Sequence, residues 1–332
     1  MELGTGLFTC QRRPDEDRPA GVAYDEMLRL ARAVEAAGLD SVWTSEHHFQ
    51  PDGYLSGTMP ALGALAAATD DIEIGSCIAP APLYDAVRLA EDAATVDLLA
   101  DGRLTLGLAI GSNPREFGEF GVPLEKRADR LEDAVRVLRG AWSDGPIEYD
   151  ADYHEISPST TVTPKPDGEI PVMLGGAAKP AVRRAARLGD AWCAPSALSL
   201  DGVEKRVRDL RSVASEAGRE VDVYVIQHGF VADSRSAAWE AMCDGYFYLQ
   251  RRYAEMFSGE RVTELSADRR AELKDRAVFG TPERVVDRLS EYRDALGDDI
   301  HVILRTFYPG VDTERTVACL ERLGDEVAPA LA

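Results

Sequence analysis

A chain of 332 residues, 45% of them hydrophobic, can fill two average domains or one large α/β barrel, and no apolar run reaches membrane-spanning length. A net charge of −21, spread along the chain rather than massed in a tail, repels phosphate backbones and argues against nucleic acid as a partner. Five cysteines (Cys10, Cys77, Cys193, Cys243, Cys319) without a C-x-x-C pair argue against a disulfide framework or a zinc site, so no metal is expected. Together with an N-terminus that lacks a basic, then apolar, leader, they place the protein in a reducing cytoplasm. Scarce lysine beside plentiful Arg, Asp and Glu points to a halophilic, high-salt interior; loss of secondary structure on dialysis into low salt is the check.

In chain order, Leu3 to Thr9 reads as a buried strand and Ala23 to Ala37 as a helix, with Met27, Leu30, Ala31, Val34 and Ala37 at helical spacing. Strand two is Ser41–Thr44, followed by Ser45-Glu46-His47-His48-Phe49. A helix over Thr58–Ala68, strand three over Ile72–Ile78, a helix over Leu83–Leu99, strand four over Leu104–Ala109 and a helix over Lys126–Trp142 continue the alternation. Residues 143–169 are rich in Pro, Gly, Asp and Thr and read as an insertion of short strands and loops. Strand five (Ile170–Leu174) runs into Gly175-Gly176-Ala177-Ala178-Lys179 and a helix over Pro180–Leu188. Strand six (Ala191–Ala194), a helix (Val203–Ala217) and strand seven (Val221–Val231) precede a helical, Arg-rich second insertion at about 239–278. Thr281-Pro282 caps the next helix, with Thr at the N-cap; strand eight is Ile300–Thr306 and the closing helix Thr313–Leu331.

Eight strands, each followed by a helix, predict a single (β/α)8 TIM barrel over residues 1–332, with insertions after the fourth helix and between strands seven and eight. The first strand–helix turn lacks G-x-G-x-x-G, which weighs against a Rossmann sheet. In such a barrel the C-terminal strand ends form the catalytic face, and the unusual segments all fall there. His47 and His48 behind Glu46 can move protons near neutrality. The Gly175–Gly176 turn, at the positive end of a helix dipole, is an anion seat. Ser112 and Asn113 follow strand four and join the same mouth.

Several blocks carry a resemblance: Gly38-Leu39-Asp40-Ser41-Val42-Trp43-Thr44-Ser45-Glu46-His47-His48-Phe49, Asp101-Gly102-Arg103-Leu104, Pro171-Val172-Met173-Leu174-Gly175-Gly176 and Phe279-Gly280-Thr281-Pro282-Glu283. They span nearly the whole chain, which resembles the bacterial-luciferase-like flavin monooxygenases. The resemblance implies reduced FMN at the barrel mouth, delivered by a separate flavin reductase, acting with oxygen on a small organic substrate such as an aldehyde or ketone, in a homodimer. It implies an acid/base role for His47, with Glu46 or a backbone group fixing its tautomer. It also implies a cis bond against the flavin ring at Cys77–Ile78, and phosphate contacts from Gly175, Gly176, Ala177 and Ala178 and from Arg127 or Arg130. Two positions depart from the pattern: the expected arginine after strand four is Ile110 and the reactive cysteine is Ala109, so light emission is not implied.

A rival reading keeps the barrel and substitutes deazaflavin (coenzyme F420) hydride transfer for oxygen chemistry; another is a flavin-binding protein without catalysis. Arg305, at the end of strand eight, is left open between a substrate or phosphate contact and an internal ion pair. Either Gln227 or His228, on opposite faces of strand seven, sees the pocket, while His301 belongs to the stability face.

Overall fold

In the computed structural model, which describes residues 1–332, eight parallel strands close into a ring. They are β1 (Glu2–Phe8), β2 (Ser41–Thr44), β3 (Glu73–Ser76), β4 (Leu104–Ala109), β5 (Val172–Gly175), β6 (Ala191–Ala194), β7 (Asp222–Val231) and β8 (Ile300–Arg305). Each pairs with the next, and β8 closes the ring by pairing with both β7 and β1, which removes every barrel edge. This is the (β/α)8 barrel that the alternation predicts.

The helices are α1 (Ala20–Ala36), α2 (Thr58–Ala66), α3 (Ala86–Leu99), α4 (Pro114–Glu119), α5 (Arg127–Trp142), α6 (Lys179–Leu188), α7 (Leu200–Glu216), α8 (Arg235–Ser258), α9 (Ala267–Arg276), α10 (Pro282–Leu296) and α11 (Thr313–Arg322). The outward faces of the strands and the apolar stripes of the helices share the main core. Thr281 holds the N-cap position of α10 but makes no side-chain cap bond. The closing helix runs through a π-helical turn at Leu323–Val327 and resumes over Ala328–Leu331; Gly324 in that turn lies so close to the Ala37 carbonyl that a Cβ would collide with it.

Inward-facing side chains form a second cluster of Leu7, Trp43, Cys77, Met173, Ala191, Cys193 and Ile303. Below it, hydrogen bonds plug the N-terminal end. His301 pairs with Ser41 Oγ at 2.7 Å and Glu2 Oε2 at 2.9 Å, and Tyr224 donates to Glu73 at 3.2 Å. His301 thus sits among structural contacts at the rim opposite the mouth.

The insertions differ from each other. Residues 143–169 contain no strand; the alternation at Ile147–Tyr149 and Tyr153–Ile156 does not find a partner edge. Instead Asp133 on α5 pins the loop, accepting from Tyr149 Oη at 2.7 Å and from the backbone amide of Tyr153 at 3.0 Å. The second insertion is helical as expected. α8 starts at Arg235 and packs Gly245 against Tyr308, which follows β8, and its last turns reach the loop after β2.

Candidate active site

All eight strands run the same way, so everything that follows a strand lies on one rim. His47 and His48 after β2, Cys77 and Ile78 after β3, Asn113 after β4, Gly176 to Ala178 after β5 and Arg305 at the end of β8 therefore face a common mouth. Ser112 is exposed on its loop, and Asn113 caps α4 by accepting from the Arg115 amide at 3.1 Å.

The carboxylate that orients His47 is Glu116, not Glu46. His47 Nδ1 lies 2.9 Å from Glu116 Oε1, and the His48 backbone amide donates to the same oxygen at 2.9 Å. Burial pushes the Glu116 carboxyl up, but the bonds from His47, His48 and Asn113 outweigh it and hold the group below the ordinary glutamate value. An ionised Glu116 requires the proton on His47 Nδ1, which leaves Nε2 as the nitrogen free to exchange. Glu46 belongs to a different set: Oε1 is 2.9 Å from His48 Nε2, and Oε2 accepts a short hydrogen bond from Tyr84. The loop positions both histidines, with no arginine on Glu46.

A second chain of bonds runs along the mouth. Ser45 Oγ meets Tyr54 Oη at 2.8 Å, Tyr54 meets Tyr253 Oη at 2.9 Å, and Arg305 Nη1 donates to Tyr253 at 2.9 Å. Tyr54 also packs edge-on against His47, with ring centroids 4.9 Å apart. Burial, then the neighbouring Tyr253, pushes the Tyr54 phenol well above its ordinary value, so it stays a donor.

Cys77–Ile78 is a cis peptide, the geometry the sequence reading expects there. Ile78 lies over Gly175, where an added Cβ would meet its Cδ1, so the glycine makes room for that side chain. Cys77 Sγ is 3.6 Å from Cys193 Sγ, and burial, then Cys193, pushes its thiol well above the ordinary range, so it is no nucleophile.

The turn after β5 is braced from behind. Trp192 Nε1 donates to the Gly176 carbonyl at 3.0 Å and Arg206 Nε to that of Ala177 at 2.7 Å. The amides of Gly176, Ala177 and Ala178 donate to no backbone carbonyl, and α6 begins with no side-chain cap. Those N–H groups are left without a backbone partner at the start of a helix. Arg127 Nη1 donates to Leu124 O at 2.9 Å while its buried Nε has no partner, and Arg130 Nε donates to Pro82 O at 3.3 Å; each guanidinium keeps further N–H groups. The Arg130 guanidinium also lies 5.6 Å from the centre of the Tyr153 ring.

Sequence reasoning missed Glu116, Tyr84, Tyr54 and Tyr253. The only local signal for Glu116 is Asn113-x-x-Glu116, a pattern that reads equally well as a helix cap. No group of three or more His, Cys, Asp or Glu is arranged to hold a metal, and no helix is long and apolar enough to cross a membrane.

Barrel and mouth together define a (β/α)8 enzyme with hydrogen-bonded titratable groups gathered on its C-terminal face. The family described as luciferase-like monooxygenase matches residues 1–299, and the chain belongs to it; it is an oxidoreductase of that family. It is 27% identical to the oxygenase component of flavin-dependent trigonelline monooxygenase from Acinetobacter baylyi, over 98% of this chain and 95% of that protein. It is also 26% identical to an F420-dependent glucose-6-phosphate dehydrogenase from Microbacterium testaceum, over 92% and 93%. The crystal structure of monooxygenase RslO1 from Streptomyces bottropensis superposes over 100% of both chains with a TM-score of 0.90 at 23% identity, a likeness of fold.

Proposed function

We propose that the protein is the oxygenase of a two-component flavin system, taking reduced FMN from a separate reductase and using oxygen on a small organic substrate. The carrying observation is His47: its Nδ1 is tied to a buried Glu116 at 2.9 Å, on the same rim as the free amide turn at Gly176–Ala178. The residues suit a flavin. The amides of Gly176, Ala177 and Ala178 would take its phosphate, as the orphaned donors of a helix start take anions. The Cys77–Ile78 peptide and the Ile78 side chain would lie against its ring.

Bound in its reduced form, the flavin supplies the electrons for oxygen chemistry. The chain's own part is to move a proton at His47 Nε2, with Glu116 holding the ring, and to keep water out beneath α8. The relationship to an oxygenase component over nearly the whole chain supports this reading.

Deazaflavin hydride transfer is the second reading, favoured by the similarity to an F420-dependent dehydrogenase. The two separate in one experiment: the protein is incubated with reduced FMN and with reduced F420 while absorbance and oxygen uptake are followed. Retention of FMN with substrate-dependent oxygen consumption is expected. Retention of F420 alone, without oxygen uptake, overturns the proposal, and tight FMN binding with no turnover across an aldehyde and ketone panel leaves only a binding protein.

A further inference from the structure

Arg305 ends β8 facing into the barrel, on the same side as Ile303 and His301. It is only 2% exposed, yet it forms no ion pair. Nη1 donates to Tyr253 Oη at 2.9 Å and Nε to Phe307 O at 3.3 Å, while Nη2 has no partner in the protein. The surrounding phenols do not neutralise it, since burial holds both Tyr54 and Tyr308 well above the ordinary phenol range. A buried cation without a counter-charge is among the costliest groups a fold can hold.

Its neighbour repeats the pattern. His228 on β7 pairs in register with Arg305, so the two side chains share a face. The ring is buried between Tyr246 and Tyr308. Burial, reinforced by Arg305 and Arg276, holds it well below the ordinary histidine value, and it is neutral at pH 7. The amide nitrogen of Gln250 lies 3.4 Å from Nε2; with that nitrogen donating, Nε2 accepts and the proton sits on Nδ1. Nδ1, too, has no partner.

We propose that Arg305 Nη2 and His228 Nδ1 form a receptor for an anionic oxygen group of the substrate, a carboxylate or phenolate. Two unpaired buried donors, one of them charged, match an acceptor-only group and penalise a neutral one. The inference rests on the reading of this mouth as the reaction chamber. A flavin ring carbonyl offers similar acceptor chemistry, and the test separates the two sources.

Benzoate and the neutral isostere benzamide are titrated calorimetrically into the full-length protein, and FMN binding is followed in parallel by fluorescence. Benzoate is expected to bind roughly 10–100-fold more tightly than benzamide, the range of a hydrogen bond to a charged group. Arg305→Gln should erase that preference and Arg305→Lys should restore part of it, both with FMN affinity unchanged. Equal affinity of the wild-type protein for the two probes overturns the proposal without recourse to any variant. So does a benzoate preference that survives Arg305→Gln, or an Arg305→Gln protein that loses FMN instead. Failure of the wild-type protein to bind FMN at all counts against the flavin reading and leaves the anion receptor standing on the benzoate result.

Discussion

His47 and Glu116 meet at 2.9 Å across 69 positions of sequence, and the oxygen that holds the ring also takes the His48 amide. One carboxylate thus fixes both the imidazole and the backbone that carries it. Glu116→Gln keeps the shape but weakens a charged hydrogen bond, and turnover should fall roughly 10–100-fold. With His47 as the proposed proton carrier, His47→Ala should cost roughly 10²–10⁴-fold. FMN affinity should change little in either variant, so steady-state kinetics with reduced FMN beside a binding titration is the check. Full turnover in His47→Ala removes the assignment.

Two carboxyls, Glu116 buried and Glu73 half-buried, are displaced in opposite directions. At Glu116 burial raises the value, but hydrogen bonds prevail and leave it below 4.5; at Glu73 burial prevails over His301, Thr105 and Tyr224 and leaves it above. By linkage, Glu116 contributes stability that is present above the ordinary glutamate value and lost as pH falls through its lower folded one. Glu73 has the reverse sign: its contribution is full below the ordinary value and lost as pH rises through its higher folded one. Thermal melts across the acid-to-neutral range should show Glu116→Gln less stable than wild type near neutrality, the gap closing in acid. Glu73→Gln should melt higher than wild type near neutrality, with that advantage vanishing in acid.

The barrel was legible in the sequence because its signals are local. β2, β4 and β6 end where hydrophobic runs meet turn residues, and their bounds agree with those read from the chain. The site was only half legible. His47 and the Gly175–Gly176 turn announce themselves by composition, whereas Glu116 and Tyr253 act through contacts that span 69 and 52 or more positions and leave no periodic trace. The 143–169 insertion misleads for the related reason that alternation alone does not supply a partner strand.

Two glycines of neighbouring strands differ in what a methyl group would strike. At Gly175 it is the mobile tip of Ile78, while at Gly107 it is the Ser76 carbonyl, whose own hydroxyl exchanges bonds of 2.8 and 2.9 Å with the Gly107 backbone. Gly175→Ala should therefore cost about 1–3 kcal/mol, as overpacking does, and Gly107→Ala more than about 3 kcal/mol, because backbone cannot step aside. Adding Ile78→Ala should recover part of the first loss and none of the second. Urea unfolding of these four variants and of Ile78→Ala alone tests this, and simple additivity in the Gly175 and Ile78 pair would remove the contact from the argument.

Arg206 offers a test of the proposed phosphate seat that touches no donor in it. Its Nε bonds the Ala177 carbonyl at 2.7 Å, turning that peptide so its amides stay free. Arg206→Met leaves the amides in place but releases the brace; the Trp192 bond to Gly176 O at 3.0 Å remains. Half the support is lost, and FMN affinity should drop roughly 3–10-fold, less than the full value of a charged hydrogen bond. Arg206→Lys separates orientation from mere charge. If the guanidinium acts by bracing, lysine does not restore affinity, and the loss is insensitive to salt; if it acts through space, lysine restores affinity and added salt shrinks the difference. Fluorescence titration with FMN at low and high ionic strength reads both, and the bracing outcome is the one the geometry calls for.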